Sequence, residues 1–97
     1  MDLWLDTEFN GHGGDLISLA LAAEDGKHWY GIFRPWASDP WVCENVLPKL
    51  YSMKQTIQGN DAVLCFSLRE YLLTRSGCTI WADWPDDFAH LMRLMSG

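Results

Sequence analysis

The sequence predicts an α+β domain on an α/β mixed sheet: a three-stranded antiparallel meander, then a parallel strand, with flanking helices. Three short runs rich in apolar and aromatic residues open the chain, and the turns between them are too short for a crossover. A stretch with apolar residues at helical spacing comes next and leads into another apolar run. A strand reached through a helix lies parallel to its neighbour in the sheet. A second helical stripe ends the chain. At 97 residues this is one domain, residues 1–97, with an adequate but thin core.

Residues 2–6 form the first strand. The segment Asn10-Gly11-His12-Gly13-Gly14-Asp15 is a turn, rich in residues that tolerate positive φ. Residues 16–22 are the second strand, and Glu24-Asp25-Gly26-Lys27 turns tightly into a third strand at 28–33. Pro35 to Pro40 interrupt the pattern. Ser38 or Asp39 can cap a short helix with Pro40 in its first position, running through Trp41, Val42, Val46 and Leu47 until Pro48 disrupts it. Residues 51–59 are polar and read as loop. Asn60 caps a longer helix whose apolar face is Val63, Leu64, Leu68, Tyr71 and Leu72, with Arg69, Glu70 and Arg75 opposite and Gly77 as terminator. Residues 78–83 are the parallel strand. Pro85 and Asp86 open the last helix, with Phe88, Leu91, Met92 and Met95 as its stripe.

Composition narrows the function. Apolar residues at 48% and aromatics at 13% specify a folded globule. Thirteen acids against seven bases give a net charge of −6, the wrong sign for gripping nucleic acid by its phosphates. Transient contact with a strand end, or a cation-dependent site, is compatible with that charge. Six tryptophans are many for this length, and some of them need a further chain or segment to cover them. Cys43, Cys65 and Cys78 are odd in number and have no C-x-x-C spacing, so buried thiols in a reducing compartment are expected. Asp2 stands where a signal peptide needs positive charge, and no apolar run approaches ~18 residues. A cytoplasmic protein without a membrane partner is expected.

Two acidic clusters carry the chemistry. Asp6 and Glu8 are separated by one residue at the end of an apolar strand, so they project from the same face. Like charges so placed repel unless a cation lies between them, and all-oxygen donors suit Mg²⁺ or Mn²⁺. The plain alternative is that Asp6 ends the strand and Glu8 is solvated. The second cluster is Asp83-Trp84-Pro85-Asp86-Asp87, where the parallel strand hands over to a helix. Ligand sites favour that kind of crevice. Acids in a first helical turn also serve the helix dipole, which accounts for Asp86 without any ligand.

In order and spacing these clusters resemble the DEDD (DnaQ-like) 3′–5′ exonucleases of ribonuclease H-like fold. The resemblance is closest to the small bacterial exoribonuclease group with D-T-E-F, L-I-S-L and A-E-D-G-K segments. Asp6 to Phe9, residues 16–19, residues 23–27, Trp29-Tyr30 and Val46-Leu47-Pro48-Lys49-Leu50 carry it. The resemblance implies two Mg²⁺ or Mn²⁺ ions held by Asp6, Glu8 and Asp87, with Asp83 as the other candidate for the second-motif ligand. It also implies phosphodiester hydrolysis at a nucleic acid 3′ end, RNA rather than DNA, with transient binding. Thr7, Phe9 and Trp84 would meet the substrate. Packing in the core is the alternative for Phe9, and burial for Trp84. Family members carry a third motif, a His or Tyr with an Asp a few residues later. His12, His28 and His90 lack that spacing, and His90 reads as a structural helix residue. The chain is therefore expected to be a fragment or a shortened relative, with the carboxyl-terminal part of the fold missing. A homo-oligomer through exposed edges is expected. The competing readings are a catalytically silent domain of the same fold, serving in binding or assembly, and an unrelated α+β protein.

Overall fold

The computed structural model describes residues 1–11, 13–52 and 55–96. His12, Met53, Lys54 and Gly97 lie outside the described residues, and with them part of the 10–15 turn and of the 51–59 segment read as loop. A five-stranded mixed sheet is formed by β1 (Asp2–Phe9), β2 (Leu16–Ala23), β3 (Trp29–Ile32), β4 (Thr56–Ile57) and β5 (Thr79–Trp81), in the order β4-β3-β2-β1-β5. The helices are α1 (Pro40–Asn45), α2 (Asp61–Leu73) and α3 (Pro85–Ser96), and a 3₁₀ segment, Leu47–Ser52, follows α1. No helix among the described residues is long and apolar enough to cross a membrane.

β1, β2 and β3 pair antiparallel, and β5 joins β1 in parallel, as the crossover through α2 requires. β1 is longer than the strand read at 2–6, because its ladder with β2 continues past the acids to Phe9. β4 is an addition to the expected four strands. Thr56 and Ile57 pair in parallel with Tyr30 and Gly31, inside a segment whose polar composition reads as loop. Two residues are too few to show alternation.

Strand alternation divides the core in two. Leu3, Leu5, Leu19, Leu21 and Trp29 pack against Leu64 and Leu68 of α2 and Leu91 of α3. A second cluster, on residues of α1 and the 3₁₀ segment, joins Ile17, Tyr30 and Ile32 to Val42, Val46 and Leu50. The caps fall on Asp39, which accepts from the Val42 N–H, and Asn60, which accepts from the Val63 N–H. Asp39 is thus the cap among the two residues weighed.

Several expected faces are corrected. Val63 is half exposed, so the α2 face centres on Leu64 and Leu68. Phe88 and Met92 point away from the core, and the buried residues of α3 are Asp87, His90 and Leu91. α2 ends at Leu73 with Thr74 as its cap, and Gly77 (φ +85°) turns the chain beyond it. None of the three cysteines is fully buried. Cys43 is exposed, Cys65 and Cys78 are half-buried, and all are free thiols. Of the six tryptophans only Trp29 lies in the core. Trp4 and Trp81 are register neighbours on β1 and β5, about half exposed, on a sheet surface that α1 and the 3₁₀ segment do not cover.

Candidate active site

Alternation along β1 sets the site. Leu3, Leu5 and Thr7 face α2 and α3, while Trp4, Asp6 and Glu8 take the opposite face. The β2 residues beside the acids are small, with Ala20 opposite Asp6 and Ser18 opposite Glu8, so no bulky neighbour closes over either carboxylate. Immediately beyond Glu8 the register slips: Glu8 pairs with Ser18 but Phe9 with Leu16, which leaves Ile17 as the extra residue on β2. Such a bulge re-aims the side chains that follow it.

Asp87, in the first turn of α3, is the one buried carboxylate of the described residues, only 2% exposed. Its Oδ1 accepts from the Thr7 N–H (3.2 Å) and the Thr7 hydroxyl (2.6 Å). The residue between the two strand acids therefore holds the helix acid beside them. An unpaired buried carboxylate is costly, whereas hydrogen bonds to charged groups are worth about 1.5–3 kcal/mol. Thr7→Val keeps the branched strand residue and removes only the hydroxyl. Urea denaturation of this variant should show a loss of about 1–3 kcal/mol, whereas a change under about 0.5 kcal/mol would show that the hydroxyl contributes little.

Asp6, Glu8, Asp86 and Asp87 line a single cavity of about 500 Å³ at the carboxyl end of β1, together with Thr7, Phe9, Gly11, Asp39, Trp41, Val42 and Trp84. Asp83 follows β5, is exposed, and does not line the cavity, although its charge acts on Asp6. Partial loss of solvation raises the pKa of Asp6, and the charges of Asp87 and Asp83 raise it further. Glu8 is raised by the same loss of solvation and then by Asp6 and Asp87. An acid whose pKa rises on folding stabilises the folded state below its unfolded pKa. That contribution is lost as pH rises through the folded value. Without divalent cations, wild-type stability should therefore fall relative to an Asp6→Asn/Glu8→Gln double variant as pH climbs upward from about 4. Thermal melts across pH check this, and a constant difference between the two proteins would refute it.

The remaining walls come from a turn and a short helix. Asn10 closes the end of β1 against the loop before α1: its Oδ1 accepts from the Ser38 and Asp39 N–H groups, both at 2.9 Å, and its Nδ2 donates to the Ser38 hydroxyl at 3.0 Å. Gly11 has φ +74°, a backbone sign that favours glycine, and a Cβ there would stand 3.0 Å from Asp39 Oδ2, which would have to shift. This clamp sets α1 beside the acids and carries Trp41 to the mouth. Trp41 is 65% exposed and Trp84 70% exposed, which rules out burial for Trp84. Phe9 lines the cavity and also packs against the buried His90 ring at 5.1 Å between centroids, so it serves both wall and core.

Among the described residues no three His, Cys, Asp or Glu side chains already stand in metal-chelating geometry. The donor set nevertheless fits a hard divalent cation: two strand carboxylates share a face, a third lies beside them, and the pKa of each strand acid is raised by loss of solvation and further by neighbouring negative charge. Asn10 and Trp41 do not stand out in the sequence, and Asp39 does so only as a helix cap, because their places at the site depend on the 10–39 contact. Only the position of Asn10, just after the acid pair, hints at it.

Fold and site together define an α/β domain with a carboxylate-lined cavity at the end of a central strand. No family model matches the chain. It is similar to two curated proteins of Mycobacterium tuberculosis, named 3′-5′ exoribonuclease MT2234.1 (strain CDC 1551 / Oshkosh) and 3′-5′ exoribonuclease Rv2179c (strain ATCC 25618 / H37Rv). Identity to each is 32% over 98 residues, covering 94% of this chain and 58% of the relative. The chain thus spans somewhat over half the length of the curated relatives it matches.

Proposed function

We propose that this domain belongs to a DEDD-type, ribonuclease H-like 3′–5′ exoribonuclease that hydrolyses RNA with two bound Mg²⁺ or Mn²⁺ ions. The observation that carries the reading is the gathering of Asp6, Glu8 and Asp87 around one open cavity. The named activity of the two mycobacterial relatives supports it. Asp6 and Glu8 would hold the cations from the strand, and Glu8 would orient the attacking water. Asp87 would complete the ligand set, and Thr7, whose N–H and hydroxyl hold Asp87 Oδ1, is a positioning residue. Asp83, outside the cavity, contributes its charge only. When bound, the cations supply Lewis-acid stabilisation of the developing phosphate charge. Phe9 and Trp84 offer faces for the terminal base, a contact worth roughly 1–3 kcal/mol per stacked base. The same reading takes the protein to be cytoplasmic, with the uncovered Trp4–Trp81 surface as the place where copies would associate into a homo-oligomer.

A second reading, a catalytically silent domain, draws on the absence of a ready chelating triad among the described residues. One experiment separates the two. With Mn²⁺, the wild type should shorten a 5′-labelled single-stranded RNA from its 3′ end, and Glu8→Gln should slow this by at least roughly 10²-fold. An intact substrate favours the silent domain. Shortening that Glu8→Gln leaves unchanged comes from a contaminant and rejects the assignment.

A further inference from the structure

A second cavity, about 210 Å³, opens on the other side of the same acid pair. Asp6, Glu8, Ser18 and Tyr30 form its sheet side, and Asn45 and Lys49 come from the α1–3₁₀ segment. The acid pair therefore stands at the junction of two compartments of different chemistry. The larger has two exposed tryptophans and no lysine or arginine among the described residues. The smaller is lined by Lys49, an exposed residue that makes no ion pair among the described residues. Its other polar groups are largely committed. The Tyr30 hydroxyl donates to the Leu50 carbonyl at 2.7 Å, and the Asn45 amide donates to the Trp41 carbonyl at 2.9 Å. The Lys49 backbone is fixed as well: its N–H donates to the Val46 carbonyl at 3.0 Å, its carbonyl accepts from the Ser52 hydroxyl at 2.7 Å, and Leu50 beside it is buried.

A net charge of −6 and an acid-lined centre repel a polyanion, so a strand that enters needs a local positive partner. The smaller cavity is lined by a cationic residue and has no tryptophan, which suits the sugar–phosphate part of a strand more than a base. We infer that Lys49 is a positioning residue that binds a backbone phosphate adjacent to the cleaved linkage, in the groove between β2–β3 and the 3₁₀ segment. The inference rests on the nuclease reading above. It assigns bases to the tryptophan-lined cavity and sugar–phosphate backbone to the lysine-lined one, so the preferred substrate is a single strand with phosphates beyond the reacting one.

Fluorescence anisotropy with a 5′-fluorescein heptaadenylate tests it, with Ca²⁺ replacing Mg²⁺ so that the strand survives. Lys49→Gln should weaken binding about 5–10-fold and reduce the slope of log affinity against log salt by about 0.7, the value of one phosphate contact on a single strand. Lys49→Arg should restore both, and under turnover Lys49→Gln should raise KM more than it lowers kcat. Unchanged affinity and slope in Lys49→Gln overturn the assignment of Lys49 when wild-type binding is lost in Asp6→Asn. A wild type that does not bind the strand under any of these conditions overturns the nuclease reading itself.

Discussion

Asp6→Asn is expected to reduce 3′-end hydrolysis of RNA by roughly 10³-fold, equivalent to about 4 kcal/mol of transition-state stabilisation. The same variant should melt at a higher temperature than the wild type when divalent cations are absent. The two effects share one cause. Asp6 is partly desolvated and is pressed by Asp87 and Asp83, so its charge opposes folding unless a cation offsets it. Asparagine keeps the shape and removes the charge. A metal-bound ligand acting on chemistry thus predicts opposite signs for activity and cation-free stability. An ordinary surface aspartate predicts neither. Parallel losses in both measurements would show that Asp6 supports the fold and not a bound ion.

Leu64→Ala should destabilise the protein by about 2–5 kcal/mol, the usual range for a buried leucine truncated in a close-packed core. Leu64 is fully buried and sits in the cluster that joins β1 and β2 to α2 and α3. For a domain of this size each kcal/mol corresponds to about 4–8 °C in Tm, so the melt should shift down by about 8–40 °C. Phe66, two residues along the same helix, is 66% exposed, and Phe66→Ala should stay within about 0.5 kcal/mol. A comparable loss in both variants would mean that another surface buries Phe66 in solution. α3 packs on the same cluster and carries Asp87, so Leu64→Ala should also weaken the hold of Thr7 on Asp87.

The meander, the parallel strand and both long helices were legible because each rests on local signals: turn residues, caps and apolar spacing. The β4 pairing was not, since Thr56 and Ile57 are set by the edge of β3 and not by their own pattern. Half of the α3 stripe held, since Leu91 is in the core and Met95 packs against it, and the other half misled for a different reason. Phe88 and Met92 are apolar, yet the face turned to the sheet is occupied by Asp87 and His90, polar groups buried because Thr7 and Phe9 meet them there. A polar residue placed inward by a tertiary partner cannot be distinguished from a solvated one by helical spacing alone. The same limit hides Asn10 and Trp41, whose places follow from contacts across 28 residues or more of chain. The acid pair itself was legible because period-two alternation fixes its common face without any tertiary information.

The most direct test is anomalous diffraction from crystals of the protein grown with Mn²⁺. Mn²⁺ density is expected between the Asp6, Glu8 and Asp87 carboxylates, with loss of that density in Asp6→Asn crystals. Carboxylates that stay apart with no ion between them, or Mn²⁺ bound elsewhere and unaffected by Asp6→Asn, would contradict that expectation.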